Sequence, residues 1–412
     1  MPLSKLQFKP GINREGTNYS NEGGWFDGDK IRFRNGLPER IGGWTRVSNT
    51  QVTGTPRKIF DFVTLDSQNL LFIGTEQKVF LENAGTFNDI TPIRSTVTLG
   101  SNPVNTTGGA GSGVVTVTTQ ASHAASTGDF VTLASLTATD GITAAQLNTE
   151  HKIASVPSTT TFTIDTGGSA SSGSTAGGGS SGTAAFQIGV GLNSTILGAG
   201  WGAGTWGRFT WGSAAGSLSG QTLRLWSVDN FGEDLLFNNM DGSIFYWDAT
   251  NGTSTRGVLL SSLTGASDVP VVARKILVSD VDRHVIVFGT NPIGSVTLDP
   301  LLIRFGSQES LTDFTPSAEN TAGDLRLSKG SEIITAIQTS RQILVFTDQS
   351  LYTMQFLGPP FTFGVSLLGD NIRIAGPNTA IAVNDVVFWM GQENFYLYDG
   401  RIQAIPCSVR DF

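Results

Sequence analysis

The chain has 412 residues and a formal net charge of −8, and only 15% of its side chains are charged although 51 residues are glycine. Eight tryptophans and 25 phenylalanines argue against a disordered chain, and the acidic balance argues against a protein that grips nucleic acid through its phosphates. A single cysteine, Cys407, excludes an intramolecular disulfide and a cysteine zinc cluster. No stretch approaches the roughly 20 apolar residues of a spanning helix, and MPLSKLQFKPGINREG lacks the apolar run of a secretory signal; no membrane span is expected, and assembly in a cytoplasm is.

In chain order, KIRFRNGLPERIGGW (30–44) has a strand, turn, strand shape, and KIFDFVTLDSQNLLFIGTEQKVFLEN (58–83) reads as three strands joined by polar turns. Then the material changes. From 101 to 200 the only charged side chains are Asp129, Asp140, Glu150, Lys152 and Asp165, and GGAGSG (108–113) and GGSASSGSTAGGGSSGT (167–183) have the composition of flexible linkers. Between these lie VVTVTT, DFVTLASL, HKIASVP and TTFTIDT, which alternate as half-buried strands do, and ITAAQLNT, a helical turn with Thr143 placed to cap it. A small β-rich domain over 96–189 is expected, inserted between an N-terminal part of a larger fold (1–95) and its remainder (190–412).

Past the insert, GWGAGTWGRFTWGS (200–213) spaces Trp201, Trp206 and Trp211 by five residues among small ones. These tryptophans could pack under the propeller as a plug, anchor a partner subunit or stack on sugar rings; packing and subunit contact are favoured because no cluster of carboxylates or amides accompanies them, and they stand as candidate interface residues. The cadence of 58–83 then returns in 233–252, in 273–291 joined to 300–310, in 334–356 and in 379–401. In most of these units a very apolar strand, LLFIG, VIVFG, ILVFT or VVFWM, precedes a strand carrying Tyr or Phe. A strand apolar on both faces is buried on both. Repeating units of about 40 residues with three or four antiparallel strands predict an all-β fold, a β-propeller of about six blades. Five units are visible, and the sixth is expected to be shared by 30–44 and NFYLYDGRIQAIPC (394–407), which would close the ring. Paired β-sandwiches or a partial propeller would give a similar pattern. The ending CSVRDF reads as a cut, with further chain or a docking neighbour expected after it.

Motifs for chemistry fail their context. GAGTWG (202–207) satisfies GxGxxG without the preceding strand and following helix that a dinucleotide site needs, and no GxxxxGK[ST] occurs. His123 and His151 fall near Asp129, Asp140 and Glu150, but no HxH or HxxxH pair exists, so these read as surface polar residues and His284 as part of a polar turn. A Ser279/His284 pair would need an orienting third group. Asp241, Asp348 and Asp399 could form a glycosidase carboxylate pair at a propeller mouth, yet they sit at hairpin tips where Asp closes turns. No catalytic, cofactor or metal residues are assigned, and no enzyme activity is expected.

GWGAGTWGRFTWG, LRLWSVDNFGEDLLF with DGSIFYWDA, DPLLIRFGSQESLTDFTP, SLYTMQFLGPPFTFG, VVFWMGQENFYLYDGR and the opening SNEGGWFDGDKIRFRNGLPERIGGW together resemble the tail nozzle or "stabilisation" proteins of short-tailed bacteriophages. The resemblance covers most of the chain outside 96–189. It implies a structural virion protein in the tail, a homo-oligomer forming a six-membered ring, bound to the head-to-tail adaptor and to tail fibres or spikes. It implies a lumen through which DNA is retained and ejected without tight specific binding, assembly in the bacterial host cytoplasm, and chain continuing beyond the VRDF-like end. The competing expectation is a propeller of the phage tail that binds or degrades glycans.

Overall fold

The computed structural model describes residues 8–17, 19–46, 48–195, 222–358 and 361–407. Five four-stranded antiparallel sheets follow one another in sequence, each with its strands in chain order. Blade 1 is Pro56–Val63, Asn69–Thr75, Val79–Asn83 and Thr86–Asp89. Blade 2 is Trp226–Phe231, Asp234–Asn239, Ile244–Trp247 and Val258–Leu259, and blade 3 is Ala273–Val278, Val285–Thr290, Asp299–Phe305 and Gly323–Arg326. Blade 4 is Ile333–Gln338, Ile343–Thr347, Ser350–Gly358 and Thr362–Asp370, and blade 5 is Ala380–Val383, Val386–Met390, Phe395–Tyr398 and Ile402–Ile405. The first strands of consecutive blades pack in series, which places them at the hub of a propeller arrangement.

Side-chain alternation explains why the second strands are apolar throughout. Leu235 and Phe237 point into a cluster with Phe72 and Leu81 of blade 1, whereas Leu236 joins Val285 and Val287 of blade 3. Ile286 and Phe288 meet Ile343 and Val345 of blade 4, and Leu344 and Phe346 meet Val387 and Trp389 of blade 5. Each such strand thus feeds two interblade cores at once, so Val285–Thr290 and Ile343–Thr347 are buried at every position. Burying a Leu, Ile or Phe is worth roughly 1.5–3 kcal/mol, so these seams hold the blades together.

The expected shared blade does not form. Ile31–Arg34 pairs with Leu37–Arg40 alone, and Phe395–Tyr398 takes its partners within blade 5. A hairpin closes locally before it can search for a distant edge, and the turn Asn35-Gly36, with φ of 50° and 81°, satisfies the two-residue hairpin geometry by itself. Among the described residues no buried apolar cluster joins blade 5 to blade 1.

Between blades 1 and 2 the chain makes a closed barrel. Ile93–Thr106, Thr183–Gln187, Phe130–Ala134, Glu150–Ser158, Thr161–Asp165 and Val114–Thr119 pair in that order, and the last pairs back to the first. Thr143 caps the barrel's short helix, Ala144–Leu147, in a capping box with Gln146. The Gly/Ser-rich stretches are not linkers but part of this barrel. Gly111 N donates to the carbonyl of Ala170, and Ala170 is buried in the barrel core. The carboxylate of Asp140 accepts from Thr106 Oγ1, Ser172 Oγ and the backbone N–H groups of Ser172 and Gly173, which pins the glycine-rich crossover. The true junction is narrow: Ile188 N donates to Pro92 O at 3.1 Å, so the barrel's two ends leave the propeller side by side.

Candidate functional sites at the hub and on the last blade

Strand alternation that sends apolar residues into the seams leaves polar side chains of the first strands at the axis. Lys58 of blade 1, Ser227 and Val228 of blade 2, Arg274 and Lys275 of blade 3, and Ile334 and Thr335 of blade 4 surround a cavity of about 50 Å³. Lys275 Nζ donates to Thr335 Oγ1 at 3.0 Å. Burial, and then the nearby Lys58 ammonium, push Lys275 down to about 8, with Asp229 opposing. Burial likewise lowers Lys58. Asp229 moves the other way, up to about 6, because burial outweighs the hydrogen bonds from Val278 N and Asn230 N. Arg274 is satisfied separately: it makes a two-pronged bond to Asp241 at 2.8 and 3.0 Å and a further ion pair with Glu332, joining blades 2, 3 and 4.

The second feature is the outward face of blade 5. The register places Ile381 opposite Phe388, Val383 opposite Val386, Phe388 opposite Leu397, and Met390 opposite Phe395. These residues share one face, and Ile381 (61% exposed), Val383, Phe388 (37%), Met390 and Phe395 all lie open. The opposite face carries Val387, Trp389 and Tyr398, buried against blade 4. Blade 1 likewise exposes Ile59 and Val63 on the face turned from blade 2. Singly exposed apolar residues are ordinary, but a contiguous apolar sheet face marks an interaction surface.

The residues singled out by sequence are dispersed and occupied. Asp241 holds Arg274, Asp348 accepts from Ser331 N and Oγ, and Asp399 accepts from Gln403, so all three close local structure. Trp201, Trp206, Trp211 and the GAGTWG string lie outside the described residues. The histidines are buried, contrary to expectation. His123 stacks on Phe186 and accepts from Ala125 N, His151 Nε2 meets Leu147 O, and His284 Nε2 meets Thr321 Oγ1 beside Phe363. A half-apolar ring fills core space once one nitrogen finds a partner, which local sequence cannot show. Ser279 Oγ lies 3.5 Å from Asp282, and its backbone, not its hydroxyl, bonds to His284. Among the described residues no three His, Cys, Asp or Glu side chains group as metal ligands, and no helix is long and apolar enough to cross a membrane. Sequence reasoning missed Lys58, Arg274 and Lys275; the available signal was a cation inside an otherwise apolar strand, as in RKILV.

The chain is therefore an all-β propeller of five blades carrying an inserted six-stranded barrel. No family model matches it, and neither does any curated protein. Among solved structures it is similar to a phage phi92 endosialidase, with a TM-score of 0.22 and 10% identity over 88% of this chain and 47% of that one. The chain thus spans about half the length of that neighbour.

Proposed function

We propose that this protein is a structural subunit of a bacteriophage tail, assembling as a homo-oligomeric ring at the distal nozzle through which DNA is retained and released. The carrying observation is the exposed apolar face of blade 5, formed by Ile381, Val383, Phe388, Met390 and Phe395. A second copy is the occupant that this reading assigns to it, and the exposed Ile59 and Val63 on the far side of blade 1 offer a different patch for a head-to-tail contact, the arrangement that builds rings. The hub cavity is far too small for a duplex, so in this reading DNA passes through a lumen between subunits, each of which carries a net charge of −8 that discourages tight binding. The freestanding hairpin of Ile31–Arg40, with Leu37, Ile41 and Trp44 exposed beside it, is the part offered to the head-to-tail adaptor. The engagement of Asp241, Asp348 and Asp399 in local bonds favours this structural reading over glycan hydrolysis at the propeller mouth.

Native mass spectrometry and negative-stain imaging of the chain, alone and with an adaptor ring, test the proposal. Rings with a pore are expected, and Phe388→Asp with Met390→Asp should release monomers of unchanged circular dichroism. A wild-type chain that stays monomeric in both settings overturns the ring, and turnover of a polysialic or other capsular glycan by that monomer would establish the competing reading.

A further inference from the structure

The hub cavity is lined by charged side chains of one sign only. Lys58, Arg274 and Lys275 reach it, Ser227, Thr335 and Asn378 supply neutral polar groups, and among the described residues no carboxylate lines it. Arg274 is already paired with Asp241 and Glu332, which leaves the two lysines as the unspent charges. Asp229 lies on the same side of its strand as Ser227, acts on both lysines and offsets one of their two charges, while its two oxygens accept from Val278 N and Asn230 N. Asp280, the other acidic group that Asp229 senses, is exposed at the far end of the blade 3 strand. Lys275 has one hydrogen bond, to Thr335, and Lys58 has none among the described residues. Two ammonium groups set against one carboxylate carry a net positive charge and N–H donors in excess of their partners, which is the chemistry that recognises an anion.

We propose that the propeller hub binds one free inorganic oxyanion of the phosphate class, held between Lys58 and Lys275 with hydroxyl or amide support from Thr335 and Asn378. The size agrees. A cavity needs about 10–15 Å³ on this measure for one water, so about 50 Å³ holds a cluster of roughly three to five, the bulk of a tetrahedral oxyanion. Such an ion would tie blades 1, 3 and 4 together at the axis, with Asn378 adding the segment that leads into blade 5. Bound only by the folded chain, it would raise stability with its concentration. This site is independent of whether the protein forms rings.

Thermal unfolding of the full chain near neutral pH, in sodium phosphate against sodium chloride of equal ionic strength, reads the site directly. Phosphate is expected to raise Tm beyond chloride. Lys58→Met and Lys275→Met should each weaken the apparent affinity by about tenfold or more, as removal of a charge-assisted bond does, whereas Lys152→Met on the barrel surface leaves it unchanged. Adenosine monophosphate should give a smaller excess, because its phosphate matches the space of about 50 Å³ whereas its nucleoside would have to stand outside it. Should either hub variant fail to fold, a selenate soak of wild-type crystals replaces it, with an anomalous peak expected between Lys58 and Lys275. No phosphate excess in the wild type, an equal excess in both hub variants, an equal effect of adenosine monophosphate, or selenate peaks elsewhere only, would each overturn the assignment.

Discussion

The edge of the Trp226 ring occupies the space where a β-carbon on Gly74 would stand, 2.5 Å from Cδ1. The same indole donates from Nε1 to the carbonyl of Thr75 at 2.8 Å, so the hub strand of blade 2 is keyed into blade 1 by both shape and a hydrogen bond. Trp226 is buried among Phe72 and Phe237, which restricts the ring's movement. Gly74→Ala should therefore destabilise the protein by about 1–3 kcal/mol, the usual cost of overpacking. Chemical denaturation with tryptophan fluorescence measures it; an unchanged midpoint would show that the seam between these blades yields.

A second prediction concerns the attachment of the barrel. Lys78 of blade 1, its side chain only 6% exposed, lies between Asp89 at 2.8 Å and Glu150 of the barrel, while Arg256 of the blade 2 loop reaches the same two carboxylates at 3.3 Å. Gln187 donates to Glu150 as well. Glu150→Gln leaves Lys78 with one carboxylate and should cost about 1–2 kcal/mol, less than the 3–5 of a wholly broken buried pair. A double-mutant cycle with Lys78→Met should return a coupling above about 0.5 kcal/mol. Additive effects would mean that the cluster is solvated and holds nothing.

Acid should loosen the barrel through Asp140. The Thr106 hydroxyl, followed by the Gly173 N–H, pulls its carboxyl down to about 2 from an ordinary 3.8. A depressed folded pKa means that the contribution is complete above about pH 4 and is lost as pH falls from there to about 2. Hydrogen exchange of the 167–177 segment should accelerate across that window in the wild type, and Asp140→Asn should exchange fast at both ends of it. An equally slow Asn variant would show that the glycine-rich crossover is held by other bonds.

Excision is the fourth test. Because Gln187 pairs with Ile93 and Ile188 N bonds Pro92 O, the two stumps are adjacent. Replacing residues 94–186 with a short Gly/Ser connector should leave a propeller that unfolds cooperatively, at a Tm lowered by the loss of the Glu150 contacts. Aggregation of that variant, together with proteolysis within the blades, would show the barrel to be part of the propeller's core.

The strands of the blades could be read in the sequence because VIVFG and ILVFT lack polar alternation, and only a strand sandwiched between two sheets tolerates that. Pairing partners were less legible. The Ile31–Arg40 region has a correct hairpin pattern, but a pattern names a strand and not its neighbour. Glycine content misled over 167–183, since composition is silent about one carboxylate that gathers three residues around it. The hub escaped notice for the same kind of reason: Lys58 and Lys275 belong to different blades, and only the packing of the blades' first strands side by side makes them neighbours.

The seams run from blade 1 to blade 5 in one direction and no apolar seam returns among the described residues, so each end blade is held on a single side. Such a stack resembles a line of dominoes more than a wheel. Its opening free energies should be graded, smallest at the two ends and largest at blade 3, with native-state exchange fraying inward from Val386–Met390 and from Pro56–Val63. A neighbour seated on either end would then act as a clamp on the whole line, so that letting go of that neighbour is also the event that lets the subunit flex.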